Sequence, residues 1–484
     1  MEAGPVADYE SVIGLEIHVQ LQTRTKMFCG SELSFGDEPN VHTCPVCLGL
    51  PGALPVINEQ AVRYAVMIGL AFGSEIAQRS QFHRKNYFYP DNPKGYQISQ
   101  YDEPLCRGGV LGDVRIQRIH LEEDAAKLEH SSASGRIQGA EQSIVDFNRC
   151  GTPLVELVTE PDLRSPEQAR EWLTLLRATL KALGVSDVDM SQGSLRVDAN
   201  VSLRPVGSTG LGVKTELKNM NSFRFLERGL RAEIERQIDV LGAGESVVLQ
   251  TLHFDPVSGR LTPLRSKEEA HDYRYFPEPD LMPLEVTAEI LASAQVAVPE
   301  LPAARAARFE SKLGLPAGRA RELAFRGELA DYFEKAVAAV ADGDGPTPVD
   351  VANWIPQLVE RIGSDADPSD SRVAPESLAT LVGMVQGREV SREAAREVLT
   401  RLVAEGGDPR EIVSAEGLGA LGDDGALTEL VDRALASDPS AAAAVREGNQ
   451  KALGPLVGFV MRETKGRADG KEIRRLILER LGAS

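Results

Sequence analysis

A period-two alternation of apolar and ligand-type residues constrains this chain more than any other feature. In Leu15-Glu16-Ile17-His18-Val19-Gln20-Leu21 every odd position is apolar, and the even positions carry Glu16, His18 and Gln20. Side chains alternate across a β-strand, so the two sets occupy opposite faces. Leu195 to Arg204 repeats the pattern, with Leu195, Val197, Ala199, Val201 and Leu203 against Arg196, Asp198, Asn200, Ser202 and Arg204. Ile119 to Asp124 places His120, Glu122 and Asp124 on one side, and Lys214, Glu216 and Lys218 share a face further on. Leu154-Val155-Glu156-Leu157-Val158 sets one carboxylate inside an apolar run.

Two readings of these faces stand side by side. An antiparallel sheet with one solvated face produces the same alternation. Against it, short ligand-type residues recur: Glu16, His18, Glu122, Glu156 and Asp198. A lone Glu156 among apolar neighbours is costly to bury unless it is paired or metal-bound. If the strands are neighbours, these groups converge on one floor. Carboxylate oxygens with an imidazole suit a hard divalent cation, magnesium foremost. Magnesium on carboxylates commonly sits beneath a nucleotide phosphate.

At 484 residues the chain is too long for one core. We expect an α+β protein in three parts. The first, residues 1–294, is a sheet-rich domain of β-branched alternation and glycine turns. From about Thr287 the texture turns Ala-, Leu-, Glu- and Arg-rich with helical spacing, as in Arg392 to Leu399. Pro299 and Pro302 mark a boundary, which gives an all-α domain over 295–405. The break at Gly406-Gly407-Asp408-Pro409 opens a helical tail over 406–484. The net charge of -19 argues against a general nucleic-acid coat and against a DNA partner, so any RNA contact must use local basic patches. One such patch is the segment 449–484, where eight basic residues face four acids, a balance of +4. No stretch has the length and apolarity of a membrane span, and Met1 to Asp8 lacks the basic start and apolar run of a signal peptide. The expectation is a cytoplasmic protein without a membrane partner.

Phe82 to Tyr96 packs Arg84, Lys85 and Lys94 among aromatic rings, and Pro90, Pro93 and Gly95 forbid a long helix there. It reads either as a loop with cations for phosphates and rings for a base, or as a tyrosine-rich cap on the core. His271 to Asp280 has the same mixture of charge and rings, and the same two readings. Cys44 and Cys47 form a CxxC, and Cys29 lies near; zinc takes four tetrahedral ligands, and a second pair would need a cysteine where Ser31 stands. Inert thiols are the default. There is no GxxxxGK[ST], no dinucleotide GxGxxG followed by a suitable acid and no GxSxG elbow, so ATP, if used, is held by another fold; no Gly-Ser-rich segment suits a Ser-Lys amidase, so ammonia, if used, is released by another chain.

Seven blocks then carry a resemblance. Val12 to Leu21, Arg84 to Asp91, His120 to Asp124, Gly151 to Glu156, Gly193 to Asn200, Glu216 to Ser222 and Asp272 to Asp280 resemble, in order, the signature blocks of the B subunit of bacterial aspartyl/glutamyl-tRNA(Asn/Gln) amidotransferases. The likeness covers essentially the whole chain. It implies a cradle domain with the activating site, a helical domain, and a tail similar to YqeY-type proteins, the tail similarity starting as early as residue 331. It also implies a carbon–nitrogen ligase acting in a heterotrimer with an amidase, the A subunit, and a small C subunit. ATP would phosphorylate the side-chain carboxylate of mischarged Glu-tRNA(Gln) or Asp-tRNA(Asn), and ammonia from glutamine would displace the phosphate. Carried over by motif, Glu16, His18, Glu122, Glu156 and Asp198 look like the catalytic, magnesium-holding residues. Lys85, Lys94, Glu123, Glu216, Lys218 and Asn219 are implied for phosphate or substrate contact or for the ammonia path. The family often has a zinc-binding Cys-x-Cys plus CxxC; Cys29, Cys44 and Cys47 match it, and Ser31 replaces one cysteine. Two other classes stay open: a non-catalytic tRNA-binding adaptor, and a stand-alone metal-dependent ligase acting on a small acid.

Overall fold

The computed structural model describes residues 9–131, 139–265, 273–340, 345–364, 366–419, 424–464, 468 and 470–482. His271, Asp272, Lys465, Arg467 and Asp469 lie outside them, and so does the side chain of Asn219. The chain divides into two compact units, Met1–Ala303 and Ala304–Ser484. No helix among the described residues is long and apolar enough to cross a membrane.

The first unit is built on a ten-stranded sheet. Its central strand, Tyr9–Gln20, pairs antiparallel with Pro153–Thr159 on one side and Leu195–Pro205 on the other. Val114–Glu123 flanks Pro153–Thr159, and Thr215–Met220 flanks Leu195–Pro205. The only parallel pairing among the described strands joins Thr215–Met220 to Thr251–Phe254, and Leu261–Arg265 closes that edge. The fold is α+β.

The alternation explains which face is covered. Leu15, Ile17, Val19, Leu195, Val197, Ala199 and Val201 are all buried in one apolar core with Ile119, Leu121, Val155 and Leu157. Each fully buried aliphatic side chain of this kind contributes about 1.5–3 kcal/mol. Helices Glu59–Ala71, Pro166–Ala182 and Phe223–Gly242 supply Val66 and Ile68, Trp172 and Leu176, and Leu226 and Leu230 to the same core. Their starts are set by side-chain caps: Asn58, Ser165 and Ser222 each accept an N–H of the first turn. Gly69 lets the helix pack closely, because a Cβ there would lie 2.6 Å from both Cys106 Sγ and Ile76 Cδ1 and would push those side chains aside.

The polar face of the sheet is not simply wet. A hairpin of Phe82–Asn86 and Tyr96–Gln100 packs on Val114–Glu123, and His120, Glu122, Asp124 and Glu156 are buried. The solvated-face reading therefore fails for this part of the sheet.

The second unit is helical and holds two apolar clusters. One gathers Phe309, Tyr332, Phe333, Trp354, Ile355, Leu378, Leu399 and Leu402, and it extends to Val413 and Leu418. The other runs from Leu427 to Leu481 through Val431, Leu456, Val460, Ile473 and Ile477. Helix Pro409–Glu416 thus packs with the residues before Gly406 rather than with those after it.

Candidate functional site

Strand register assembles the polar groups into rows. Arg196, His18, Glu156 and His120 are cross-strand partners in turn, so one row spans four strands. The next row pairs Asp198 with Glu16, and Asn200 lies opposite Glu216. Residues directly opposite on one face stand within side-chain reach of each other, which is why four separate sequence segments form a single site.

Distances confirm the convergence. His18 Nε2 lies 3.6 Å from Glu122 Oε1 and 3.4 Å from Glu156 Oε2. His120 Nε2 lies 3.8 Å from Glu122 Oε2 and 3.5 Å from Glu156 Oε2. Ligand-type atoms of Glu16, His18 and Glu156 lie within 4.8 Å of one another, as do those of His120, Glu122 and Glu156. Ser99 Oγ donates to Glu122 at 3.1 Å, and Arg118 donates to Glu156 at 3.4 Å. Beside Glu16, Lys218 Nζ donates to Asp198 at 2.8 Å and stands 3.6 Å from Glu216, which also accepts from Thr251 Oγ1 at 3.0 Å.

The electrostatics follow from crowding in a partly dry face. Burial opposes charge on His18, but the hydrogen bond and charge of Glu156, with Glu122, outweigh it and raise the imidazole pKa from 6.5 to about 9. Burial also opposes ionisation of Glu156, yet His120 and His18 hold its carboxyl well below the usual carboxylate range. Glu122 is held low as well, against burial, by His120, Lys85 and His18. Glu16 goes the other way: burial and the charge of Glu156 raise it despite His18. Burial works against the Lys85 ammonium, but Glu122, Tyr275 and Glu156 keep it charged well above its ordinary pKa. The face is thus a cluster of carboxylates whose charge is partly balanced by the His18 imidazolium and two lysines.

Among the residues singled out in the sequence, Glu16, His18, Glu122, Glu156, Asp198, Lys85, Glu216 and Lys218 meet on this face. Lys94 and Glu123 do not join it. They form an ion pair with each other, and Glu123 also accepts the Ile98 N–H at 2.9 Å. Together they line a cavity of about 210 Å³ with Lys26, Cys47, Tyr96 and Asp280. The three cations of the aromatic loop are all engaged inside the fold: Lys85 as above, Lys94 by Glu123, and Arg84 by both oxygens of Glu278, at 2.7 and 2.8 Å.

Sequence reasoning placed His120, Asp124 and Arg196 on polar strand faces but left them out of the site. The signal was the same alternation that found their neighbours. His120 Nδ1 and Arg196 Nε are buried without a hydrogen-bond partner among the described residues, while Asp124 takes Arg196 Nη2 at 2.9 Å and Gln20 Nε2 at 2.7 Å.

The thiols form a second constellation. Cys29, Cys44 and Cys47 bring their sulfurs within 4.8 Å of one another. The Cys29 hydrogen bond pushes the Cys47 thiol down to about 4; burial opposes this, and the Cys44 N–H and Lys26 add to it. No fourth thiol or imidazole joins the trio among the described residues: His42 Nε2 is engaged by Asp37 at 2.7 Å, and Lys26 Nζ stands 3.7 Å from Cys47 Sγ. The set is one ligand short of a closed zinc centre.

Residues 11–292 match the family described as the GatB/GatE catalytic domain, and residues 331–481 match the GatB domain. The chain is 50% identical to a protein of Frankia casuarinae over 99% of its own length and 97% of the relative's. It is 48% identical to one of Thermus thermophilus, over 98% and 99%, and 47% identical to one of Moorella thermoacetica, over 98% and 100%. All three are named as the B subunit of an aspartyl/glutamyl-tRNA(Asn/Gln) amidotransferase.

Proposed function

Because this chain belongs to the GatB family of amidotransferase B subunits, we propose that its carboxylate–imidazole face is the ATP-dependent centre that activates mischarged aminoacyl-tRNA. The substrate is the side-chain carboxylate of Glu or Asp esterified to tRNA(Gln) or tRNA(Asn). That carboxylate attacks the γ-phosphorus of ATP, ADP leaves, and an acyl phosphate forms. Ammonia then attacks the acyl carbon, and phosphate leaves with the bonding pair. A free carboxylate is a poor acyl donor, so the phosphate supplies the missing leaving group.

One observation carries this reading: ligand atoms of Glu16, His18 and Glu156 lie within 4.8 Å of one another, those of His120, Glu122 and Glu156 do the same, and Asp198 lies opposite Glu16. The oxygen-rich donor set fits magnesium, and these five residues, with His120, would hold it. When bound there, the ion would neutralise phosphate charge and align the transfer. Lys85 and Lys218 keep their positive charge in the cluster and are placed to meet anionic oxygens. The hairpin over Glu122 and Glu156 limits water at a hydrolysable intermediate. Lys94 and Glu123, beside their own cavity, are candidates for the path of ammonia from the partner. The thiol trio lacks a fourth ligand among the described residues, and the reading assigns zinc no role.

The reading requires an amidase partner, the A subunit, to release ammonia, and a small C subunit to complete the heterotrimer. The competing reading, a non-catalytic tRNA adaptor, separates cleanly. In the assembled complex, Glu122→Gln and Asp198→Asn should each lower ATP-dependent amidation of mischarged tRNA by about 100-fold or more, with glutamine or ammonium as donor, and leave glutamine hydrolysis intact. Amidation at the wild-type rate in both variants would hand the case to the adaptor.

A further inference from the structure

We propose that Tyr101, stacked on Tyr275 at the border of the carboxylate face, is the platform for an adenine base. The proposal rests on the activating-centre reading, because both substrates of that reaction present adenosine: ATP itself and the 3′ end of tRNA.

Tyr101 is 49% exposed, yet its ring is fixed on two sides. It lies 4.4 Å from the Tyr275 ring at an interplanar angle of 11°, a parallel stack. The edge of His83 meets it at 6.3 Å. His83 is itself buried and held, with Nε2 3.1 Å from Asp102 Oδ1 and Nδ1 3.2 Å from Gln81 O. A surface tyrosine usually turns freely. This one is stacked on one side with half its surface left to solvent, the arrangement a stacking surface needs before a base arrives.

The loop beneath is shaped for the purpose. Arg274 adopts φ of 48°, a left-handed conformation that a non-glycine residue rarely takes. That turn sets Tyr273 and Tyr275 edge to face at 6.2 Å. Asn86 Nδ2 clamps it by donating to Tyr273 O at 3.1 Å and Arg274 O at 2.9 Å. Lys85 links the rings to the carboxylates: its ammonium lies 4.9 Å from the Tyr273 ring centre and feels Glu122 and Glu156. The phenol of Tyr275 feels the same three charged groups. Ser99, two residues before Tyr101, donates to Glu122 at 3.1 Å, so a base on the outer face of Tyr101 would lie on the side of the hairpin that reaches the carboxylates.

Two equilibrium measurements on the assembled complex test this without turnover. One is binding of a non-hydrolysable ATP analogue with magnesium and no tRNA. The other is filter binding of mischarged tRNA without ATP. Tyr101→Ala should weaken one of these about tenfold or more, and Tyr101→Phe, which keeps the π face, should stay within about twofold of wild type. Loss on the ATP arm assigns the platform to the nucleotide. Loss on the tRNA arm assigns it to the terminal adenosine, and tRNA lacking that adenosine should then bind wild type and Tyr101→Ala equally. If the alanine variant melts early, Tyr101→Leu repeats the test with apolar bulk but no ring. Unchanged affinity on both arms, an equal loss with Tyr101→Phe, or release of the partner chains with no other effect overturns the proposal. Because no arm measures amidation, its failure is distinguishable from failure of the activating-centre reading, which Glu122→Gln reports.

Discussion

His18 holds a proton at neutral pH because Glu156 and Glu122 stabilise the imidazolium more than burial destabilises it. Its pKa of about 9 stands above the ordinary 6.5, so the stability it contributes is complete below pH 6.5 and is lost as pH rises through 9. A metal cation needs the neutral imidazole and must displace that proton. We therefore expect divalent-cation affinity to rise with pH, by about tenfold per unit between neutrality and pH 9, with one proton released per ion bound. Calorimetric titration with magnesium in buffers of different ionisation enthalpy measures both quantities. Affinity that stays flat over that range would show that His18 is not displaced. Alternation placed Glu16, His18, Glu122 and Asp198 on polar strand faces, because a strand offers only two, and Glu156 stood out as a lone carboxylate in an apolar run. His120 was on the correct face in the sequence, but nothing local marked it as buried between two carboxylates.

At the scale of elements, strands and helices were readable for different reasons. The strands announce themselves by period two, and the apolar half of each is buried. The hairpin that covers Glu122 and Glu156 could not be read, because which loop folds over which face depends on tertiary packing. For the same reason Arg84, Lys85 and Lys94, which look like free cations in the sequence, are engaged by acids far along the chain. Helix pairs in the second unit are tied by Glu334, whose carboxyl burial would raise but which Arg308 and Arg305 hold below the usual value. A carboxyl depressed on folding stabilises above its unfolded pKa of about 4.5, and that stabilisation is lost as pH falls through the lower folded value. Urea unfolding of wild type should therefore show stability falling as pH drops below about 4.5, and Glu334→Gln should flatten part of that loss. An identical acid limb in the variant would mean that the two arginines do not act through this carboxylate.

For the whole molecule, the basic tail has its own core and a surface already partly neutralised. Arg475 pairs with Glu472 and Glu479, and Arg480 with Asp432. Lys451, Arg462 and Arg474 make no ion pair among the described residues, and they are available to phosphates. Since Val413 and Leu418 belong to the preceding core, the truncation that spares that core removes residues 424–484. It should lower tRNA affinity about tenfold and flatten its salt dependence by about three counterions, a little under one for each of these three cations and Arg446, which is also exposed and makes no ion pair among the described residues, with glutamine hydrolysis by the complex unchanged. Filter binding across a salt series reads this, and an unaltered slope would remove the tail from the RNA contact. Alternation along the chain by itself determined which side chains line each face of each strand, since that depends only on backbone geometry. Only the tertiary structure decided which strands are neighbours, which part of the polar face is shielded from water, and which charges are already matched, because those follow from long-range pairing that no local pattern encodes.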